Sequence, residues 1–351
     1  MDDNYLWLEQ ILESDTIDTI KPELIASAVK TTLAETEDCF AWGINPVNGG
    51  EHVAARIRLL KQVYPEIANF VRTQIKAPIQ AILPTLWRFW LPLAMDIAQT
   101  RHNLGYPLVQ GILGGQGTGK TTLTKILNLT LPHLGYRSAS LSIDDLYLTY
   151  EERCQLREKD PRLIWRGPPG THDIQLGLET ISQFRAGHPQ LSLPRFDKSL
   201  HGGMGDRAIA EVVSNIDILL FEGWFVGVRP IAVSVFKNPP PPICSHSDTI
   251  FAIDMNQTLN NYLPLWQQLD KLLVLYPRNY RFSLEWRKQA EREMIAQGKT
   301  GMTDNQIEEF VNYFWCALHP ELFIKPLLKS KDADLVIEIT ADHQFERIFK
   351  P

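Results

Sequence analysis

Short runs of apolar residues alternate with helical stretches from about residue 106 onward. The first run, from Leu108 to Leu113, ends in glycines, and a helical stretch follows from Lys120 to about Leu131. Four more strand candidates lie at residues 139–143, 217–221, 271–275 and 334–339. Strands that are apolar throughout and alternate with helices are typical of a parallel sheet covered by helices on both faces. The pattern therefore predicts an α/β fold with a parallel sheet of five or more strands.

The first hundred residues follow a different pattern. Apolar residues recur at helical spacing near Leu8 and again near Ile57, which predicts a helical N-terminal extension over residues 1–104 and a main domain over residues 105–351. Residues 77–98 form the most apolar stretch, but Pro84, Arg88, Pro92 and Asp96 interrupt it. Its uncharged runs are too short to span a bilayer, so we expect a buried helical segment.

Composition and charge narrow the range of functions. The 351 residues include 35 Lys and Arg against 41 Asp and Glu, so the net charge of −6 excludes a general basic nucleic-acid coat protein. The four cysteines are too far apart for a zinc ribbon or a thioredoxin-type pair. The acidic start resembles neither a signal peptide nor a transit peptide. We therefore expect a cytoplasmic protein that binds neither membrane nor nucleic acid and acts on a small molecule.

A phosphate-binding motif follows the first predicted strand. Residues 114–121, GGQGTGKT, satisfy the pattern G-x-x-x-x-G-K-[ST] and open a predicted helix. Glycines let backbone N–H groups surround phosphate oxygens, Lys120 is expected to reach the β- and γ-phosphates, and the Thr121 hydroxyl is expected to bind Mg²⁺. The predicted ATP-binding residues are Gly114, Gly115, Gln116, Gly117, Thr118, Gly119, Lys120, Thr121 and Thr122.

Carboxylates end two of the other predicted strands. Glu222 ends the clearest apolar run, so it is the candidate that joins Thr121 at the metal. Asp144 and Asp145 follow the second run, and strand polarity directs them to the same edge. Asp144 is the predicted catalytic base, acting beside Lys120. Alternatively, either carboxylate caps the segment that follows, which is the simpler interpretation of Asp145.

The segment between the second and third predicted strands, residues 146–207, is rich in Arg, Asp, His and Gly. Long excursions at strand ends are often functional. Arg offers a planar fork to a carboxylate, and Asp or His accepts from hydroxyls, so the mixture suits a small hydroxy acid. The alternative is a set of surface loops with locally paired charges. The substrate-binding candidates are Arg166, His172, Asp173, Arg195, Asp197, Lys198 and Arg207. Arg195 and Lys198 rank first because they flank the pair Phe196-Asp197.

Four short motifs carry a resemblance to a known family. They are RGPPGTHD at residues 166–173, PRFDKS at 194–199, GDR at 205–207 and FEGW at 221–224. Together with the phosphate-binding motif they resemble the D-glycerate 3-kinases of plants, fungi and cyanobacteria. These enzymes belong to a P-loop kinase group with uridine kinase, phosphoribulokinase and pantothenate kinase. The resemblance covers about residues 105 to 350 and leaves the N-terminal extension without a function.

The resemblance implies a P-loop kinase fold and a specific reaction. The γ-phosphate of ATP is transferred, with Mg²⁺, to the 3-hydroxyl of D-glycerate, a step that closes photorespiration in plants and cyanobacteria. Asp144 matches the usual base of the group. A lid is expected at residues 280–300, where Arg287 is the best candidate for the ATP phosphates. Alternatively, Arg287 forms an i,i+4 ion pair with Glu291 on a solvated helix.

Two other functions stay open at this stage. One is a P-loop kinase of another hydroxylated metabolite, such as a nucleoside, pantothenate or ribulose phosphate. The other is a regulatory module that binds ATP and a protein without transferring phosphate. A pure binding module has no need of the base, so an intact Asp144 argues against the second. The sequence gives no information on protein partners.

Overall fold

The apolar runs of the second half of the chain form a twisted sheet. The computed structural model describes residues 5–14, 19–296, 298 and 301–351. Its strands are β1 (Leu108–Gly114), β2 (Ser138–Ser142), β3 (Gln190–Asp197), β4 (Asp206–Ser214), β5 (Ile218–Gly223), β6 (Lys271–Pro277), β7 (Leu335–Ile339) and β8 (Phe345–Phe349). The large sheet has the order β2-β5-β1-β6-β7-β8. Its first five strands are parallel, and β8 pairs antiparallel with β7 at the edge.

Helices precede the sheet and alternate with its strands. Those of the N-terminal half are α1 (Leu6–Glu13), α2 (Pro22–Ala34), α3 (Thr36–Trp42), α4 (Gly49–Phe70), α5 (Ile79–Thr85) and α6 (Leu91–Leu104). Those that follow β1 are α7 (Lys120–Thr130), α8 (Tyr150–Lys159), α9 (Ile174–Arg185), α10 (His246–Thr258), α11 (Leu263–Trp266), α12 (Phe282–Ala296), α13 (Asp304–Ala317) and α14 (Pro320–Phe323). Among the described residues, no helix is both long enough and apolar enough to cross a membrane.

Each face of the sheet has its own apolar core, because successive strand residues point to opposite sides. Leu108 and Ile112 of β1 pack with the N-terminal helices and α7 on one face. Val109 and Leu113 of the same strand pack with α9, α10 and α13 on the other face. The helices before residue 105 therefore share a continuous core with the sheet. A division of the chain at residue 104 stays a prediction.

All five predicted strands are confirmed within a residue or two, and they are the five parallel strands. The sequence interpretation missed β3 and β4, which form a separate antiparallel hairpin that begins within the 146–207 excursion and ends at Ser214. It also missed the antiparallel edge strand β8.

Three candidate parts of the site lie at the same edge of the sheet. β1 lies between β5 and β6, with β2 farther out on the β5 side and β7 farther out on the β6 side. The strand order therefore changes direction at β1. Ligands of doubly wound sheets bind at such a point, beyond the carboxyl ends of the strands. Here these ends carry the 114–121 loop after β1, the turn Ile143–Leu146 after β2 and Glu222 in β5.

Candidate active site

The 114–121 loop connects β1 to α7 and depends on its glycines. Gly117 and Gly119 have φ angles of +78° and +85°, which side chains with a Cβ rarely adopt. A Cβ on Gly117 would also lie 2.8 Å from the side chain of Trp286. Helix α12 therefore packs directly against the loop. The Trp286 indole is stacked on His343 and donates to the carbonyl of Ala341 at 2.7 Å, which connects the loop to the β7–β8 turn.

Lys120 begins α7, directly after the loop that leaves β1. Its Nζ donates to the carbonyl of Gly115 at 3.0 Å, and the Thr118 hydroxyl donates to the same oxygen at 2.9 Å. Burial lowers the pKa of Lys120, while the carboxylates of Glu222 and Asp144 oppose this shift. The charge of Lys120 is therefore favoured by two nearby carboxylates at the edge where the predicted phosphate loop opens.

Asp144 lies in the single turn that follows β2. Tyr147 donates to its Oδ1 at 2.8 Å, and the ammonium of Lys198 lies 2.6 Å from its Oδ2. Burial alone would raise the pKa of Asp144, but the charge and hydrogen bond of Lys198 and the bond from Tyr147 outweigh it, so the pKa is lowered. The carboxylate is thus ionised at neutral pH and available to accept a proton.

Glu222 occupies the strand next to β2. It is the register partner of Ser142 in β2 and of Ile112 in β1. Burial raises the pKa of Glu222, and the nearby negative charge of Asp144 adds to this, whereas Lys120 opposes it. Two carboxylates that repel each other beside the phosphate loop are a suitable environment for a divalent cation. The exposed Thr121, in the first turn of α7, is the other predicted ligand.

Asp145 has a structural set of contacts, as the simpler interpretation of the sequence expected. Its Oδ2 accepts from the backbone N–H of Ser142 at 3.0 Å, which caps the turn after β2. The same oxygen lies 3.1 Å from Arg195, whose other donors reach Glu211 and the carbonyl of Ser140. Arg195 therefore fastens the β3–β4 hairpin to the end of β2.

His172 is buried beside Asp144 in an aromatic layer. It is stacked on Tyr147, with ring centroids 4.7 Å apart, and its Nδ1 lies 2.8 Å from the hydroxyl of Tyr262. Burial lowers the pKa of His172 to about 3, so the ring is neutral. Since the Tyr262 hydroxyl already accepts from Gly170 N–H at 2.8 Å, its own hydrogen is free to point at Nδ1. That arrangement leaves the proton of the imidazole on Nε2, an atom with no hydrogen-bond partner in the described part of the chain.

The other substrate candidates divide by their partners. Arg207 donates to Asp173 at 2.6 Å, and Asp173 also caps α9. Asp197 accepts from the backbone and hydroxyl of Ser199 in a local turn. Arg166 differs, because its guanidinium donates to the carbonyls of Gly203 and Met204 rather than to a carboxylate.

The structure therefore changes how we rank the cations that were proposed to bind the substrate. Lys198, Arg195 and Arg207 each have a carboxylate partner, whereas Arg166 has none within ion-pair distance among the residues described. His172 and Lys198 lie near Asp144, while Arg195, which belongs to the hairpin, pairs with Glu211 and Asp145.

Arg287 lies on α12, one residue after the tryptophan that packs on the phosphate loop. It forms the i,i+4 ion pair with the buried Glu291 at 2.9 Å, which was the alternative interpretation of the sequence. A contact with ATP phosphates stays a prediction. The expected lid at 280–300 includes residues 297, 299 and 300, which lie outside the described part of the chain.

Two tyrosines of the site had no predicted role. Tyr147 follows Asp144 by three residues, and one helical turn brings such residues together. That spacing was a usable signal for the hydrogen bond to Asp144. Tyr262 lies 90 residues from His172 in sequence, so only the tertiary fold reveals their contact.

Comparison with known proteins identifies relatives that match about two thirds of the chain. No family model matches the chain. The D-glycerate 3-kinase of Arabidopsis thaliana chloroplasts is 33% identical over 252 residues, and a probable ATP-dependent kinase of Saccharomyces cerevisiae, TDA10, is 31% identical over 253 residues. The match covers 67% of this chain and 83% of the yeast protein. The chain belongs to the D-glycerate 3-kinase family of P-loop kinases.

A solved member of the family has the same fold. The D-glycerate 3-kinase of Cryptococcus neoformans superposes with a TM-score of 0.66 at 29% identity, over 74% of this chain and 96% of that one. The Arabidopsis match covers 68% of this chain but 53% of the plant protein, so the chain spans about half the length of that relative. Family membership confirms the P-loop kinase fold expected from the sequence motifs.

Proposed function

We propose that this protein is an ATP-dependent kinase that phosphorylates the 3-hydroxyl of D-glycerate to give 3-phospho-D-glycerate. The observation that carries the proposal is the position of Asp144. It is an ionised carboxylate within electrostatic reach of the phosphate-loop Lys120 and of Glu222. A binding module has no use for such a group, whereas a kinase needs one to accept the hydroxyl proton.

The proposed reaction is an in-line displacement. The 3-hydroxyl oxygen of the acceptor forms a bond to the γ-phosphorus as the bond to the bridging oxygen of ADP breaks, and the hydroxyl proton passes to Asp144. Lys120 and the backbone N–H groups of the loop neutralise the charge on the phosphates. Tyr147 orients the base, because its hydroxyl holds Oδ1 and leaves the other lone pairs of the carboxylate available.

The residues present fit ATP and Mg²⁺. Positive φ angles at Gly117 and Gly119 turn the loop into an anion-binding cradle at the N-terminus of α7. Thr121 and Glu222 would hold Mg²⁺, which when bound supplies positive charge to the β- and γ-phosphates. The repulsion between Glu222 and Asp144 supports this assignment.

The substrate assignment draws on the relatives. The Arabidopsis and Cryptococcus proteins are D-glycerate 3-kinases. The excursion of this chain supplies a cation without a carboxylate partner, Arg166, which suits an acid substrate better than a neutral one. Three of the four short motifs that carry the family resemblance lie in the same excursion.

An ADP-release assay with a panel of acceptors tests the proposal. The purified chain, ATP and Mg²⁺ are combined with D-glycerate, L-glycerate, pantothenate or uridine. We expect turnover with D-glycerate that Asp144→Asn lowers strongly. Turnover with pantothenate or uridine alone would make the protein a kinase of another metabolite. ATP binding without turnover on any acceptor would favour the regulatory module.

A further inference from the structure

A pocket with several positive charges opens on the 146–207 excursion. It lies between α8 and the segment 163–171, and its charged lining consists of Arg153, Arg157 and Arg166. Apolar side chains such as Trp165 and Met204 complete its walls. The described residues that line it include no Asp or Glu. Such a pocket favours a small anion, since nothing in its lining balances the guanidinium charges.

The hydrogen bonds of Arg153 and Arg166 reach carbonyl oxygens and not carboxylates. Arg153 donates to the carbonyl oxygens of Met204 at 2.7 Å and Gly205 at 2.6 Å, and Arg166 donates to Gly203 at 2.8 Å and Met204 at 3.0 Å. Carbonyls fix the direction of a guanidinium but carry no charge. Arg157, one helical turn after Arg153, has no ion-pair partner in the part of the chain that the structure describes.

The charges within the pocket also favour a bound anion. Burial lowers the pKa of Arg153, and the neighbouring positive charge of Arg166 lowers it further, while Asp206 offsets part of this effect. Two guanidinium groups that repel each other are stabilised when an anion lies between them.

The pocket is one aromatic ring away from the candidate base. The Arg166 guanidinium lies 6.0 Å from the ring centroid of Tyr147 and 5.6 Å from that of Phe196. The hydroxyl of the same Tyr147 donates to Asp144 at 2.8 Å. A hydroxy acid carries its anionic group and its reactive hydroxyl at opposite ends, which matches a cation over the ring of Tyr147 and a base at the hydroxyl of the same residue.

We propose that the pocket formed by Arg153, Arg157 and Arg166 binds the carboxylate of the acceptor, and that Arg157 is a specificity residue which the sequence motifs do not indicate. This inference rests on the proposed function, since it concerns the substrate of that reaction. A carboxylate that bound instead to Arg195, Arg207 or Lys198 would have to share that cation with, or exchange, its present partner Asp145, Asp173 or Asp144. At the arginine pocket no such exchange is needed.

Arg157→Gln is the decisive variant, because the side chain is exposed and supports no other described contact. We expect it to raise the KM for D-glycerate by about tenfold, as the loss of one charge-assisted contact would. The KM for ATP and the melting temperature stay at the wild-type values. Arg157→Lys recovers part of the loss. Lys159→Gln is the matched control, since it removes one exposed positive charge from the same helix outside the pocket, and it leaves both KM values unchanged.

The outcomes separate the two proposals. Wild-type turnover of D-glycerate with an unchanged glycerate KM in Arg157→Gln overturns the pocket assignment and leaves the proposed function standing. Equal increases in the KM for glycerate and ATP also overturn the assignment, because the effect would then not be specific to the acceptor. If the wild-type protein does not phosphorylate D-glycerate, the proposed function fails and the pocket assignment fails with it.

Discussion

The ammonium group of Lys198 lies 2.6 Å from Oδ2 of Asp144. Lys198 projects from the tip of the β3–β4 hairpin and is 59% exposed, whereas Asp144 is 28% exposed. An ion pair with one exposed partner is readily exchanged, because water replaces the lost contact. The pair therefore keeps the base ionised without fixing it permanently, and an acceptor hydroxyl can approach the carboxylate from the side of the hairpin.

Asp144→Asn tests the role of the base. The amide keeps the shape of the carboxylate but cannot take a proton, so we expect kcat to fall by about 10²–10⁴-fold while ATP affinity is retained. Steady-state kinetics and a nucleotide-binding titration measure the two quantities. Asp145→Asn is the paired control. It weakens the contact with Arg195 and costs about 1 kcal/mol of unfolding free energy, with kcat near the wild-type value. The reverse result, an inactive Asp145→Asn and an active Asp144→Asn, would exchange the two roles.

Lys198→Met tests how the base is kept ionised. Since the Lys198 charge lowers the pKa of Asp144, its removal raises that pKa. The reaction needs the carboxylate form, which is lost as the pH falls through the pKa. The acidic limb of the kcat/KM profile therefore moves to higher pH in the variant. Lys331→Met, a change at an exposed lysine far along the chain, should leave the profile in place. An unmoved profile in Lys198→Met would show that the ion pair does not govern the base.

The sequence predicted the sheet because its central strands β1, β5 and β6 are buried almost throughout and form nearly continuous apolar runs. It did not predict the β3–β4 hairpin, since β4 is largely exposed and carries Ile209 at 94% exposure. Strands that bury little surface leave no apolar run. The missing hairpin also affected the predicted site, because the position of the hairpin determines which carboxylate each of its cations contacts. Arg195 meets Asp145, 50 residues earlier, only once β3 lies beside the end of β2.

Lys120→Met tests the phosphate loop. The variant loses the charge that neutralises the β- and γ-phosphates, so we expect turnover to fall by about 10³-fold or more. The fold should survive, since burial lowers the pKa of Lys120 and the protein therefore gains nothing from the charge itself. Lys125→Met, at an exposed position of the same helix, controls for the loss of a lysine from α7. Turnover close to the wild-type rate in Lys120→Met would contradict the kinase assignment.

His172 links the aromatic layer to the pH dependence of stability. Burial lowers the pKa of His172 to about 3, whereas an unfolded histidine titrates near 6.5. Between these values the unfolded chain binds a proton that the folded chain does not, so the contribution of His172 is complete above pH 6.5 and declines as the pH falls. From pH 7 to pH 5 the loss amounts to about 2 kcal/mol of unfolding free energy. In His172→Gln, urea unfolding at the two pH values should show a difference smaller by that amount, whereas His188→Gln, at an exposed position, should keep the wild-type difference. If His172→Gln retained the full difference, the histidine would be protonated in the folded state and able to donate from both ring nitrogens. The contact with Tyr262 would then run in the opposite direction, with Nδ1–H donating to the hydroxyl.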